Sequence, residues 1–242
     1  METHARRSVL IVIPVFASVY PRPFKNFLGL ALSTAHREGE RYRFDVHVPG
    51  REILHSAMNN AVDAMLKGDY DAMIICDDDC FPPTDAISTL LRHFEDGKDI
   101  IAGLGYMRGF PHTTTAGRYY DEGPTVVTNE RTMSAELVGF KWQDDMAVNS
   151  GLHRVDFCGF PIALVSRRAL TQMKAPWFGT ELNGGACTHD VFFGSRASEA
   201  GIEIWVDSSM PCGHLAEAPI VMPETRDFAR RVRRLIEHKV SA

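Results

Sequence analysis

Two hydrophobic periods alternate along the first hundred residues of this chain. Val9-Leu-Ile-Val-Ile13 is an unbroken aliphatic run, the pattern of a strand buried on both faces. Phe24 to Arg37 then places Phe27, Leu28, Leu30, Ala31 and Ala35 at helical spacing, and Tyr42 to Val48 alternates as a strand does before Pro49-Gly50. The helical period returns from Glu52 to Leu66, through Ile53, Ala57, Ala61, Ala64 and Met65, and stops at Gly68. Asp71 to Cys76 predicts a third strand. Thr84 reads as the N-cap of a helix from Asp85 to Phe94 that ends near Gly97, and Asp99 to Gly103 as a fourth strand. Strands separated by helices of this length imply right-handed crossovers and an α/β fold with a mostly parallel central sheet flanked by helices.

The pattern weakens between Arg108 and Ser150, where Gly, Pro, Thr and charged residues dominate. Only Thr125 to Thr128 and Glu136 to Phe140 suggest short strands, which suits a variable, substrate-facing region. Val155 to Val165 is apolar but broken by Gly159 and Pro161. A short helix is expected from Ser166 to Met173, an aromatic loop at Trp177-Phe178, a helix from His189 to Ala200 stopped by Gly201, and a last strand from Glu203 to Val206. A basic helix from Glu224 to Lys239, carrying Arg226, Arg230, Arg231, Arg233 and Arg234, fits either a solvated terminus or contact with a membrane or polyanion. No repeat or linker divides the 242 residues, so one domain is expected.

Composition narrows the function classes. The net charge of −5 gives no electrostatic case for a nucleic-acid-binding protein. No apolar run approaches the ~20 residues that cross a bilayer. The apolar stretch after Arg6-Arg7 contains Pro14 and reads as a buried strand rather than a signal peptide. Five cysteines, an odd number without a framework, argue against a disulfide scaffold, and a cytoplasmic location is expected.

The chemistry concentrates at Asp77-Asp78-Asp79, which ends the apolar run Ala72 to Cys76 and precedes Pro82-Pro83. Clustered carboxylates at the end of a parallel strand repel one another unless something positive compensates them. Their hard oxygens suit Mg²⁺ or Mn²⁺ and, through the ion, a nucleoside diphosphate. A solvated acidic turn fits the same residues. Arg108, just after the fourth strand, has a guanidinium suited to a phosphate or an acidic acceptor, or simply to solvent. Cys187-Thr-His189 and Cys212-Gly-His214 repeat a Cys-x-His spacing, so a structural zinc is a competing use of those residues. Trp142 and Trp177-Phe178 fit a sugar-stacking platform or core packing.

Taken in order, these pieces resemble the nucleotide-sugar glycosyltransferases of the GT-A fold, in particular the family 2 group and its short bacterial and phage-like members. The resemblance rests on Val9-Leu-Ile-Val-Ile-Pro-Val15, Ile74-Ile-Cys-Asp-Asp-Asp-Cys-Phe-Pro-Pro83, Ala102-Gly-Leu-Gly-Tyr-Met-Arg108, His189-Asp-Val-Phe-Phe193, Ala200-Gly-Ile-Glu-Ile-Trp-Val-Asp207 and Cys212-Gly-His214. It implies a nucleotide-binding half at residues 8–105 and an acceptor-side half with a small antiparallel extension at 106–215. A C-terminal helix at 220–242 would follow. It also implies an Asp-x-Asp motif at Asp77 and Asp79, with Asp78 making the register ambiguous. Asp77, Asp79 and His214 would hold Mn²⁺ or Mg²⁺. Pro14, Val15 and Phe16, with Asp77, Asp78, Arg51 and Arg108, would contact the nucleotide.

By the same resemblance Asp190 is the base that takes the proton from the acceptor hydroxyl in an inverting displacement. An N-terminal acid of a helix also serves the helix dipole. The family's preceding glutamate is His189 here. The implied partners are a UDP- or GDP-type sugar donor and an acceptor that is a glycan, lipid carrier, protein or modified nucleic acid. A non-catalytic nucleotide-sugar-binding protein on the same fold is one alternative. A metal-dependent nucleotidyltransferase is another, although Pro14-Val-Phe-Ala-Ser18 lacks the glycine- and basic-rich loop such enzymes show.

Overall fold

The alternating periods of the first hundred residues become strands and helices in the expected order. They are β1 (Arg7–Val12), α1 (Pro21–Glu38), β2 (Tyr42–His47), α2 (Leu54–Lys67), β3 (Ala72–Ile75), β4 (Cys80–Phe81), α3 (Ala86–Glu95) and β5 (Ile100–Leu104). The computed structural model describes residues 6–15, 20–50, 52–109, 112–120, 125–129 and 134–215. Its second half is built of shorter pieces. β6 (Ala116–Tyr119), β7 (Thr125–Asn129), β8 (Ser134–Val138), β9 (Phe140–Trp142), β10 (Leu152–Val155), β11 (Phe157–Cys158) and β12 (Ala163–Ser166) precede α4 (Arg167–Gln172). Then come β13 (Glu181–Leu182), β14 (Gly185–Ala186), α5 (His189–Glu199), β15 (Ile204–Pro211) and β16 (Gly213–His214).

Seven strands form the central sheet in the order β10-β15-β5-β12-β3-β1-β2. β2, β1, β3, β5 and β15 run one way; β12 and β10 run the other. The sheet is mostly parallel, with β12 inserted between β3 and β5. Apolar clusters cover both faces, which is why its central strands read as continuous hydrophobic runs. Met73 and Ile75 pack with Met58 and Met65 of α2 and Phe193 of α5, while Ala72 and Ile74 pack with Leu30 of α1 and Leu90 of α3. Three smaller sheets, β11-β6-β9, β13-β14-β8-β7 and β16-β4, form the largely antiparallel extension.

Several boundaries differ from the sequence reading. Thr84 does not cap α3: the N-cap is Asp85, whose side chain makes no capping bond, and Ala86 N donates to Pro83 O at 3.0 Å in the turn before the helix. The segment Val155 to Val165 serves two sheets, since β11 pairs with β6 and β12 joins the central sheet after the break at Gly159 and Pro161. Glu136 to Phe140 divides at Gly139, which has φ +95. The basic segment Glu224 to Lys239 lies outside the described residues.

Candidate functional site

The carboxyl ends of the parallel strands meet at one edge of the sheet, and each delivers polar groups there. β1 leads to Pro14 and Val15, β3 to Asp77, Asp78 and Asp79, and β5 through Gly105 and Tyr106 to Arg108. β15 continues into β16 and His214, which pairs with Cys80 of β4, and Leu215 N donates to Asp79 O at 2.8 Å. This short ladder ties the acidic turn to a histidine 135 residues later in the chain. Pro14, Val15, Asp77, Asp78, Asp79, Arg108 and His214 line one cavity of about 330 Å³, together with Gly50, Glu52, Leu54, Ala57 and His189. Phe16 and Arg51 lie outside the described residues.

The cavity's electrostatics are those of an acid cluster short of positive charge. Burial pushes the Asp77 carboxyl up to about 7, and the negative charges of Asp78 and Asp190 add to the effect, while Arg108 opposes it. Arg108 Nη2 ion-pairs with Asp79 Oδ2, and its Nε–H donates to His214 Nε2 at 2.9 Å. The opposite ring nitrogen of His214, Nδ1, donates to Tyr106 O at 2.8 Å. That bond fixes the tautomer and leaves the Nε2 lone pair to accept from Arg108, with Asp79 Oδ1 3.4 Å away. Burial lowers the His214 pKa, with the neighbouring charge of Arg108 acting the same way and the Tyr106 carbonyl against it, so the ring is neutral near pH 7.

Ligating atoms of Asp79, Cys80 and His214 lie within 4.8 Å of one another. The buried Cys80 thiol has its pKa pushed well up, first by desolvation and then by Asp77, and its Sγ donates to Asp79 Oδ1 at 3.6 Å. Sulfur is a soft donor, so the donor set that fits a hard divalent cation is carboxylate oxygen plus the His214 nitrogen.

Asp190 occupies the first turn of α5 and is buried, with Oδ1 accepting from Val191 N at 3.0 Å. It is not among the residues lining the cavity; His189 takes that place. The negative charge of Asp190 nonetheless helps to raise the Asp77 pKa. His189 lies against Phe160 and Phe178, with ring centroids 6.2 and 6.4 Å away, and burial lowers its pKa.

Residues 34–171 match glycosyl transferase family 2, more than half of the sequence. The chain belongs to that family. Membership carries glycosyl transfer as the general activity, and the matched span includes Asp77 to Asp79 and Arg108 but ends before His189, Asp190 and His214. The fold is similar to the crystal structure of A197 from STIV, with a TM-score of 0.57 at 20% identity over 91% of this chain and 92% of that one. UDP-glucose pyrophosphorylase complexed with UDP-glucose aligns over 84% of this chain and 90% of its own, at 9% identity and a TM-score of 0.43, too slight a likeness to carry an argument. No curated protein matches the sequence.

Within this family 2 chain the two Cys-x-His pairs do not converge. Among the described residues the cluster able to hold a metal is Asp79, Cys80 and His214, while Cys212 is buried with its Sγ donating to Met210 O at 3.4 Å. The zinc alternative therefore has no geometric support. Trp177 and Phe178 pack: Trp177 Nε1 donates to Leu170 O at 2.9 Å, and Phe178 stacks on Phe193 at 4.8 Å. Trp142 instead lines a second, apolar cavity of about 280 Å³ with Phe140, Ala186, Cys187, Thr188 and Val191.

Asn59 has a structural role that the sequence reading does not assign. Its Oδ1 accepts from Trp177 N at 3.0 Å and Phe178 N at 3.1 Å, and its Nδ2 donates to Phe178 O at 2.8 Å, latching the aromatic loop to α2. A poor helix former on the buried side of a helix was the available signal.

Proposed function

We propose that this chain transfers a sugar from a nucleoside-diphosphate donor to an acceptor hydroxyl, with inversion and with the help of Mn²⁺ or Mg²⁺. The observation that carries the reading is the convergence of Pro14, Val15, Asp77, Asp78, Asp79, Arg108 and His214 on one cavity at the carboxyl edge of the sheet. Asp79 and His214 would hold the ion, with Asp77 beside it, and the ion would supply positive charge for a diphosphate leaving group. The Pro14-Val15 turn, continued by Phe16, and Arg51 would receive the nucleoside with Asp77 and Asp78. Asp190 would accept the acceptor's proton; its carboxylate lies close enough to the cavity to influence Asp77. The donor class is UDP- or GDP-sugar, and the acceptor a glycan, lipid carrier, protein or modified nucleic acid. All five cysteines are unpaired, which suits a reducing compartment and supports a cytoplasmic location. No helix among the described residues is long and apolar enough to cross a membrane.

One observation favours a second reading, a nucleotide-sugar-binding protein without turnover: His189, and not Asp190, lines the cavity. Turnover of nucleotide sugars with Mn²⁺, measured in the native chain and in Asp190→Asn, separates the two. The enzymatic reading expects the variant to lose roughly 100-fold or more in turnover while keeping its donor affinity. Metal-dependent donor binding with no turnover in the native chain would establish the binding protein instead.

A further inference from the structure

Arg108 lies between the two groups assigned to the cation. Its Nη2 pairs with Asp79 Oδ2, and its Nε–H donates to His214 Nε2 at 2.9 Å. The His214 ring carries its proton on Nδ1, which is held by Tyr106 O at 2.8 Å, so Nε2 has a single lone pair to give. A divalent ion ligated by that nitrogen uses the same lone pair. The imidazole therefore serves Arg108 or the metal, but never both.

We propose that Arg108 is the resident cation of this site, exchanged for the divalent ion when the donor binds, its guanidinium then passing from Asp79 and His214 to the donor's diphosphate. The inference rests on the metal-dependent reading above. Three features support the exchange. The Arg108 side chain is 59% exposed, so it turns without disturbing the core. Arg108 lines the same cavity as the acidic turn, which puts an incoming diphosphate within its reach. A planar guanidinium matches a phosphate with paired hydrogen bonds as well as it matches a carboxylate.

The exchange makes metal and donor bind together. An ion arriving alone has to break the grip of Arg108 and leaves the guanidinium without a new partner. An ion arriving with a diphosphate supplies that partner at once.

Calorimetry with Mn²⁺ alone, and with UDP or GDP in the presence of Mn²⁺, tests the exchange in the native chain, Arg108→Ala and Arg108→Lys. Mn²⁺ alone should bind Arg108→Ala roughly 10-fold more tightly than the native chain, about the worth of one charged hydrogen bond. Arg108→Lys keeps the positive charge but not the two-pronged grip, and it too should bind Mn²⁺ more tightly than the native chain. In both variants the nucleoside diphosphate should bind more weakly, by roughly 10-fold in Arg108→Ala. Equal Mn²⁺ affinity in the native chain and Arg108→Lys overturns the exchange, because charge alone then accounts for any gain in the alanine variant. Failure of Mn²⁺ to bind any of the three, alone or together with UDP or GDP, removes the metal reading and the exchange together. Melting curves establish that all three chains are folded.

Discussion

Asp207 does not line the cavity, yet it shapes the approach to it. Its Oδ1 accepts from Ser209 N at 2.8 Å and from Ser209 Oγ at 2.7 Å, and its Oδ2 meets His93 Nε2 at 2.8 Å. These bonds hold the chain where the register of β15 against β5 breaks, between Asp207 and Pro211, and that irregularity precedes the turn to His214. Burial works against the charged carboxylate, but the bonds from His93 and Ser209 outweigh it and lower the pKa from 3.8. A carboxyl with a depressed folded-state pKa binds fewer protons folded than unfolded. Its stabilisation is present above the unfolded pKa and is lost as pH falls through the folded one. Asp207→Asn should therefore lose about 1–3 kcal/mol of stability at pH 7. In urea titrations the deficit should shrink below about pH 4; a deficit that stays constant down to pH 2 would contradict the assignment. The sequence placed Asp207 at the end of a segment that carries the family resemblance but did not show its bonds, because its partner His93 comes from another element, 114 residues earlier.

Among the elements, the first half was legible because each piece is long enough to display its period. The buried runs of β1 and β3 and the faces of α1 and α2 all appear near their expected limits. In the second half β7, α4, α5 and the start of β15 were legible too, but strands such as β11 and β13 were not, because they have two residues each and are defined by distant partners. α5 was legible as a helix, but its position was not: it is set by a close approach at Gly194. A Cβ built there would lie 2.4 Å from Asp156 O and 2.6 Å from Phe157 Cβ. Gly194→Ala should push α5 from β11, cost about 1–3 kcal/mol and displace His189 from the cavity wall. Thermal unfolding checks the first effect. A variant that melts with the native chain would show that the contact relaxes without strain.

At the scale of the whole molecule, the site is a product of topology. Pro14, Asp77 to Asp79, Arg108, His189 and His214 span 200 residues, and each is brought to the cavity by the end of a different element. The acidic turn was readable from local pattern and hard-ligand chemistry, and the resemblance to family 2 proposed His214 and Asp190. Neither source could show that Arg108 grips Asp79 and His214, or that His189 rather than Asp190 lines the cavity, since those relations exist only after the sheet is assembled. The central claim is that the acidic turn and the late imidazole bind a divalent ion that in turn holds a nucleoside diphosphate. Calorimetric titration of UDP and GDP, with and without Mn²⁺, tests it in the native chain and in Asp79→Ala. The account predicts that Mn²⁺ raises the affinity of the native chain for one of the two nucleotides by roughly 10-fold or more, and that Asp79→Ala remains folded but loses the enhancement. Mn²⁺-dependent affinity that persists undiminished in Asp79→Ala, or is missing from the native chain, would contradict it.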